Sequence, residues 1–342
     1  MIGGTADPIS IQFRTTTGSR TFGQETRFNV LLVSVSDPTF SHQLVFYDDA
    51  EDFLASAMPY LREGLELEEP ILAALPPAKI ELLRGELGTD AEAVEFADIE
   101  ILGRNPARLI PAWRDFLDTR AAAGGGIRGI GESIWPARSP AAVDECERHE
   151  SLLNLAFHDV PATAILCCYD SRALDDDVLD AALLSHPHER SADGTADNPE
   201  WDDHRPEPFA GGLAPPPLGA FELGFDRDTL HTLRAAAGLE AAEAGLSEQR
   251  AADVILAVAE LAANSVVHGG GQGTATIWRD PQALVVEIRD KGRIEQPLAG
   301  RMRPSPTQES GRGLWVANQV CDLVQIRSGA AGTRARLWMN LA

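Results

Sequence analysis

The sequence predicts two α/β domains joined by a polar segment, and three observations carry that reading. Residues 38–185 alternate short apolar runs with amphipathic stretches. Residues 186–219 are rich in proline, glycine and acid and have no apolar period. From 220 onward a long apolar helical pattern is followed by pairs of strand-like segments. At 342 residues the chain is about twice an ordinary domain, which agrees with two cores.

Taken in order, residues 1–37 are polar, rich in Thr, Gly and Arg, and read as a disordered leader. The opening MIGGTADPIS has no basic region before an apolar stretch, so no signal peptide is expected. HQLVFY (42–47) reads as a strand and 50–67 as a helix ending near Gly64; EPILAAL (69–75) and 77–87 repeat that pair. A strand over 94–99 and a helix over 106–123 follow, then a strand over 126–133, a helix over 139–159 and a strand over 162–170. Strands alternating with helices predict a mostly parallel sheet with helices on both faces. The segment 186–219 reads as an interdomain linker.

Composition removes several function classes. With 52 acids against 29 bases the net charge is −23, a poor match for gripping a nucleic-acid backbone, so no direct DNA binding is expected. No apolar run approaches the roughly 18 residues of a membrane helix, and a cytoplasmic protein is expected. Of the two lysines, Lys79 and Lys291, neither follows a glycine or precedes Ser or Thr, so an ATP site here is not a Walker A loop. Cys146, Cys167, Cys168 and Cys321 lack CxxC spacing and read as buried free thiols of a reducing compartment, which argues against a metal site built on them. Residues 124–129 match GxGxxG literally, but they follow a helix and open a strand, the reverse of a dinucleotide loop; a helix cap and turn fits better.

The first domain resembles the MEDS sensory family over most of 38–187. The resemblance rests on His42 four residues before Phe46-Tyr47, on Gly131-Glu132 with Trp135, on His149-Glu150, on Cys168-Tyr169-Asp170 and on His186-Pro187. It implies a sensor of small molecules or signals, with a fold related to RecA-type ATPases but lacking the phosphate loop. His149 departs from the aromatic residue common at that place. His42 reads equally as a packed histidine, and Glu132 and Trp135 read either as structural or as pocket residues.

In the second half, Glu260, Asn264 and His268 fall on one helical stripe of roughly 80°, with apolar residues in the other directions. That stripe faces either a cavity or solvent. ATIWRD (275–280) and ALVVEIRD (283–290) read as antiparallel strands, the second ending on Asp290-Lys291-Gly292. A carboxylate at a strand end beside glycine offers an acceptor that backbone can approach. After a proline- and arginine-rich loop (295–309), Ser310-Gly311-Arg312-Gly313-Leu314 opens a helix, whose exposed N–H groups suit phosphate. Two more strands close the chain.

This series resembles the GHKL family of histidine kinase catalytic domains, gyrase-type ATPases and RsbW-like serine kinases, over about 221–342. The resemblance implies an α/β sandwich that binds ATP and Mg²⁺. By position, Asn264 would hold Mg²⁺ and Glu260 would act as general base or orient the acceptor. Asp290, with Gly292 beside it, would bind adenine. Gly311, Arg312, Gly313 and Leu314 would line the phosphates, and Thr333 would support the adenine-side water network. His268 fits packing as well as catalysis. The sequence departs from the family where Ile294 replaces the second glycine of Asp-x-Gly-x-Gly, which implies a stiffer lid and slower turnover.

A sensor joined to a small GHKL domain resembles the cytoplasmic anti-sigma regulators. The first expectation is a serine/threonine kinase that binds a sigma factor and phosphorylates an anti-anti-sigma (STAS-type) partner; such regulators commonly form homodimers. The second is a non-catalytic module with ATP as an allosteric ligand. The third is a soluble histidine kinase, although His186, His188 and His204 lie in a segment without helical period.

Overall fold

A computed structural model of the chain describes residues 40–121, 125–191, 194–202, 208–305 and 311–341. The expected leader lies outside the described residues, as do Gly124 and Ser310 of the glycine-rich segments.

β1 (Ser41–Tyr47) leads into α1 (Ala50–Glu66), β2 (Ile71–Leu75) into α2 (Pro77–Leu87), and β3 (Val94–Asp98) into α3 (Ile99–Leu102) and α4 (Leu109–Arg120). β4 (Arg128–Gly131), α5 (Pro140–Phe157), β5 (Ala164–Asp170) and α6 (Asp176–Ser185) complete the alternation. The five strands run parallel in the order β3-β2-β4-β5-β1. Apolar clusters cover both faces, which is why β2 is an unbroken apolar run with every residue buried. This is the predicted fold class. Where a phosphate loop would follow the first strand, Asp49 caps α1 instead, its carboxylate accepting from the Glu51 and Asp52 amides at 3.0 and 3.1 Å. A helix N-terminus already holding a carboxylate offers little to a phosphate. Gly126 serves packing: a Cβ there would overlap the Ala162 carbonyl.

The segment read as a linker has regular structure in part. β6 (His188–Ser191) adds parallel to β1, and β7 (Gly194–Asp197) turns back antiparallel on β6. This edge hairpin is exposed along most of its length, so no apolar alternation marks it in the sequence. Residues 208–219 then lie against the second half. Phe209 and Leu213 are buried, and the carbonyls of Leu213 and Ala214 accept from Arg334 and Arg336 at 3.1 and 2.6 Å.

The second half holds β8 (Phe221–Asp226), α7 (Leu230–Glu243), α8 (Glu248–His268), β9 (Gln272–Arg279), β10 (Ala283–Asp290), α9 (Arg312–Val320), β11 (Leu323–Gly329) and β12 (Gly332–Asn340). Its antiparallel sheet is ordered β11-β12-β10-β9-β8, with the helices packed on one face around Leu233, Val258, Leu261, Val286 and Leu337. The apolar directions of α8 are not all covered. Leu256 and Val267 are exposed, beside a core face of Val254, Ala257, Val258 and Leu261. Among the described residues, α8 is the helix long and apolar enough to cross a membrane by composition; here it packs on α7, α9 and the sheet. All four cysteines are free and buried, and burial pushes the Cys146 and Cys321 thiols up to about 12, keeping them protonated and unreactive.

Residues 37–342 form one compact unit, and polar contacts join its halves. Asn105 donates to the Asn318 carbonyl at 3.0 Å, and Arg108 reaches the Asn318 and Cys321 carbonyls at 2.9 and 2.8 Å, capping the C-terminal end of α9. From α5, Asp144 and Glu145 pair with Arg327 of β11, the second at 2.7 Å.

Candidate functional site

Helical spacing places Glu260, Asn264 and His268 one turn apart along α8, as expected. Glu260 and Asn264 are half-buried, whereas His268, the last residue of the helix, is exposed. Packing therefore does not account for His268. The stripe faces the start of α9. A Cβ on Gly313 would lie 2.7 Å from Asn264 Nδ2 and 3.0 Å from Glu260 Oε2, so only glycine lets the two helices meet this closely. Gly311, at φ 85°, stands as the helix N-cap in the left-handed region that glycine favours. The first amides of α9, those of Arg312 and Gly313 among them, thus open beside Asn264. Arg312 donates to the Ser305 carbonyl at 3.4 Å, and Leu314 packs on the second core.

Asp290 closes the other end. Its Oδ1 accepts from the Gly292 amide at 2.7 Å and its Oδ2 from the Ser265 hydroxyl at 2.6 Å. Each oxygen keeps a further lone pair, so the fixed carboxylate can accept one more donor, such as a ring amino group. β10–β12 pairing sets Thr333 opposite Asp290; Thr333 Oγ1 donates to the Gly292 carbonyl at 2.9 Å and meets Ser328 Oγ at 2.8 Å. A Cβ on Gly292 would lie 2.7 Å from the His268 carbonyl, another close approach only glycine permits. Glu260, Asn264, Gly311 and Gly313 thus lie where α8 meets the start of α9, and Asp290, Gly292 and Thr333 lie together at the end of β10, whereas Leu314 turns to the core. Sequence reasoning missed Ser265 and Ser328. Ser265 was findable: it sits one residue past Asn264, turned by one helical step toward the sheet.

These groups fit a nucleotide with its metal. The side chains of Glu260 and Asn264 form no hydrogen bond to another described residue, so both can meet a ligand. A metal prefers such oxygen donors, and the amides opening α9 nearby are of the kind a phosphate would take.

Residues 292–305, which follow β10, show a feature no sequence pattern announced. Ile294 packs on the second core, and its amide donates to Ser328 Oγ at 2.9 Å. Further along, Leu298 packs against the first domain's core. Arg301, nearly buried, donates to Glu145 Oε2 at 3.0 Å, and Arg303 pairs with Asp115 of α4 at 2.7 Å. The described part of this segment thus touches both domains, Ile294 on the second and Leu298, Arg301 and Arg303 on the first. Two cavities are lined elsewhere, one by Glu145, Phe209, Arg301 and Asn318 between the domains and one by Trp113, Glu150 and Cys167 under the first sheet.

Within the first domain, Glu132 is buried and bonded to Lys79 and to Tyr47, the latter at 3.2 Å. Burial pushes its carboxyl up while Lys79 opposes that shift. Trp135 lies under the Arg138 guanidinium at 3.7 Å. His42, His149 and His186 are all buried.

Residues 41–187 match the family model described as MEDS: MEthanogen/methylotroph, DcmR Sensory domain. Residues 225–339 match the model of the Histidine kinase-like ATPase domain. The chain therefore has a MEDS domain followed by a GHKL-type domain. No curated protein matches it. Among solved structures, the RsbU and RsbW domains of Rv1364c from Mycobacterium tuberculosis are similar at 21% identity over 36% of this chain, with a TM-score of 0.28. That similarity spans 32% of the other chain.

Proposed function

We propose that this chain, a MEDS domain joined to a histidine kinase-like ATPase domain, is an ATP-dependent signalling regulator of the partner-switching type. The observation that carries the reading is the attachment of the segment following β10 to the first domain through Leu298, Arg301 and Arg303, since that segment starts at Asp290 and Gly292. A signal that shifts the first domain would move the loop, and with it the nucleotide's environment.

The finer reading is a serine/threonine kinase of the anti-sigma type, which binds a sigma factor and phosphorylates an anti-anti-sigma (STAS-type) partner. Asp290 would accept from the adenine amino group while Ser265 and the Gly292 amide hold its carboxylate still. The amides opening α9 at Gly311, Arg312 and Gly313 would take the phosphates. Asn264 would ligate Mg²⁺, which when bound supplies charge neutralisation at the phosphates. Glu260 stands one turn before Asn264, where its carboxylate could orient an acceptor hydroxyl and take its proton. Phosphoryl transfer of this kind is positioning plus electrostatics, so few side chains suffice.

A second reading, a non-catalytic ATP-binding module, is favoured by one observation: Ile294 is packed and its amide bonded to Ser328, which stiffens the loop. A histidine kinase fits least. His186 is fully buried and closed to phosphorylation, and His204 lies outside the described residues. Radiolabelled ATP with the host's anti-anti-sigma proteins separates the first two. A kinase labels one of them slowly, and Glu260→Ala abolishes labelling with ATP affinity kept within about threefold. Wild type that binds ATP and a sigma factor yet labels none would leave only the binding module.

A further inference from the structure

We propose that His42, Glu150, Cys167 and His186 form a closed four-donor site for a divalent transition metal, Zn²⁺ by the chemistry of its donors. The four come from β1, α5, β5 and the residue following α6, all are buried, and one donor atom from each lies within 4.8 Å of the others. Glu150 Oε2 is 3.3 Å from His42 Nε2 and 3.6 Å from His186 Nε2. Cys167 Sγ is 3.4 Å from His42 Nε2 and 3.3 Å from Glu150 Oε2. Bonds of about 2.0 Å to nitrogen or oxygen and about 2.3 Å to sulfur put tetrahedral donors about 3.3–3.8 Å apart. The four measured separations fall in that range.

The surrounding hydrogen bonds orient the donors inward. Asn154 donates its amide to the Ser185 carbonyl at 2.7 Å, which leaves its Oδ1 to accept from His42 Nδ1 at 3.1 Å. His186 Nδ1 donates to the Ala182 carbonyl at 2.8 Å. Both rings therefore carry the proton on Nδ1 and turn the Nε2 lone pair toward the cluster, the arrangement that outer partners impose on metal-binding histidines. Ser133 donates to Glu150 Oε1 and leaves Oε2 facing the same point. A hydrogen-bonded network alone does not complete this picture, because His186 Nε2 is buried with no hydrogen-bond partner. A cation within reach of all four donors satisfies it.

Strand pleat explains why one of two adjacent cysteines serves. Cys167 points into the core beneath α5 with Glu150, while Cys168 points into the opposite core. The absence of CxxC spacing argues only against ligands close in sequence; here the topology gathers them from four elements. On binding, the Cys167 thiol proton, now directed at Glu150 Oε2, is released to solvent and the thiolate becomes the ligand. Imidazole and thiolate donors beside one carboxylate favour Zn²⁺ over Mg²⁺ or Ca²⁺. The inference rests on the first domain alone and is independent of the ATP reading.

The test is the full chain expressed in minimal medium with Co²⁺, since a buried site loads as the protein folds. The expected result is about one Co²⁺ per chain with a thiolate-to-metal charge-transfer band that Mg²⁺ cannot displace and Zn²⁺ can. Cobalt at the ATP site has no sulfur ligand and contributes nothing to that band. Cys167→Ser should lower retained Co²⁺ at least tenfold, and Cys168→Ser should leave it unchanged. A folded wild-type chain without the band, or a band that survives Cys167→Ser, overturns the site. Should Cys167→Ser fail to fold, X-ray absorption of the wild type decides: one sulfur among four ligands upholds the site, and none overturns it.

Discussion

Arg301, in the segment between β10 and α9, donates to Glu145 of the first domain at 3.0 Å, and the two residues are 7% and 2% exposed. Arg327 completes the cluster by donating to the other Glu145 oxygen at 2.7 Å. One carboxylate thus holds the loop and β11 to α5. Removing it leaves two nearly buried guanidiniums without it, and breaking a buried pair from one side costs about 3–5 kcal/mol. Glu145→Ala should lose about 3 kcal/mol in urea unfolding, with cleavage of residues 295–305 by light protease becoming faster. Stability within 1 kcal/mol of wild type would mean that the cluster contributes little.

Asp290→Asn tests the adenine end. The native carboxylate accepts from Ser265 and Gly292 with room for one donor more, whereas an amide has a single acceptor oxygen and presents N–H to whatever faces it. ATP affinity should fall about 5- to 150-fold, the range for an unsatisfied buried partner at about 1–3 kcal/mol. Calorimetry giving equal affinities would remove Asp290 from the site.

Gly313→Ala adds a methyl where Asn264 Nδ2 and Glu260 Oε2 already stand, at 2.7 and 3.0 Å. Overpacking of this kind costs about 1–3 kcal/mol. ATP binding should weaken at least tenfold, while Gly329→Ala, with nothing within 4 Å of its Cβ position, should be silent. Equal effects of the two would show that α8 and α9 need not meet closely.

These outcomes bear on how much of the molecule could be read from its sequence. The strands and helices of the parallel half carry their own periodicity, and Asp290, Gly292 and the Gly311 and Gly313 pair stand at strand ends and helix starts where local pattern reveals them. What eluded the sequence depends on distance along the chain. Glu145 meets Arg301 across 156 residues, and Arg327 across 182. No local pattern signals such a pair. The edge hairpin of β6 and β7 was invisible because it is exposed along most of its length, so burial imposes no alternation.

Light proteolysis should cut first within residues 186–219. The fragments are expected to remain together on gel filtration, because Arg108 and Glu145 still bridge the halves. Fragments that separate at once at low salt would show the contacts between the halves to be weak.

The attachment of the loop is tested most directly by the rate of phosphate transfer in Arg301→Ala. This change removes the most buried of the loop's attachments to the first domain, while Glu145 keeps Arg327 and the two halves stay joined. Measured against wild type with radiolabelled ATP and the same anti-anti-sigma protein, transfer should be about tenfold faster as the loop gains freedom. A rate within twofold of wild type would contradict control of the ATP cleft by the first domain.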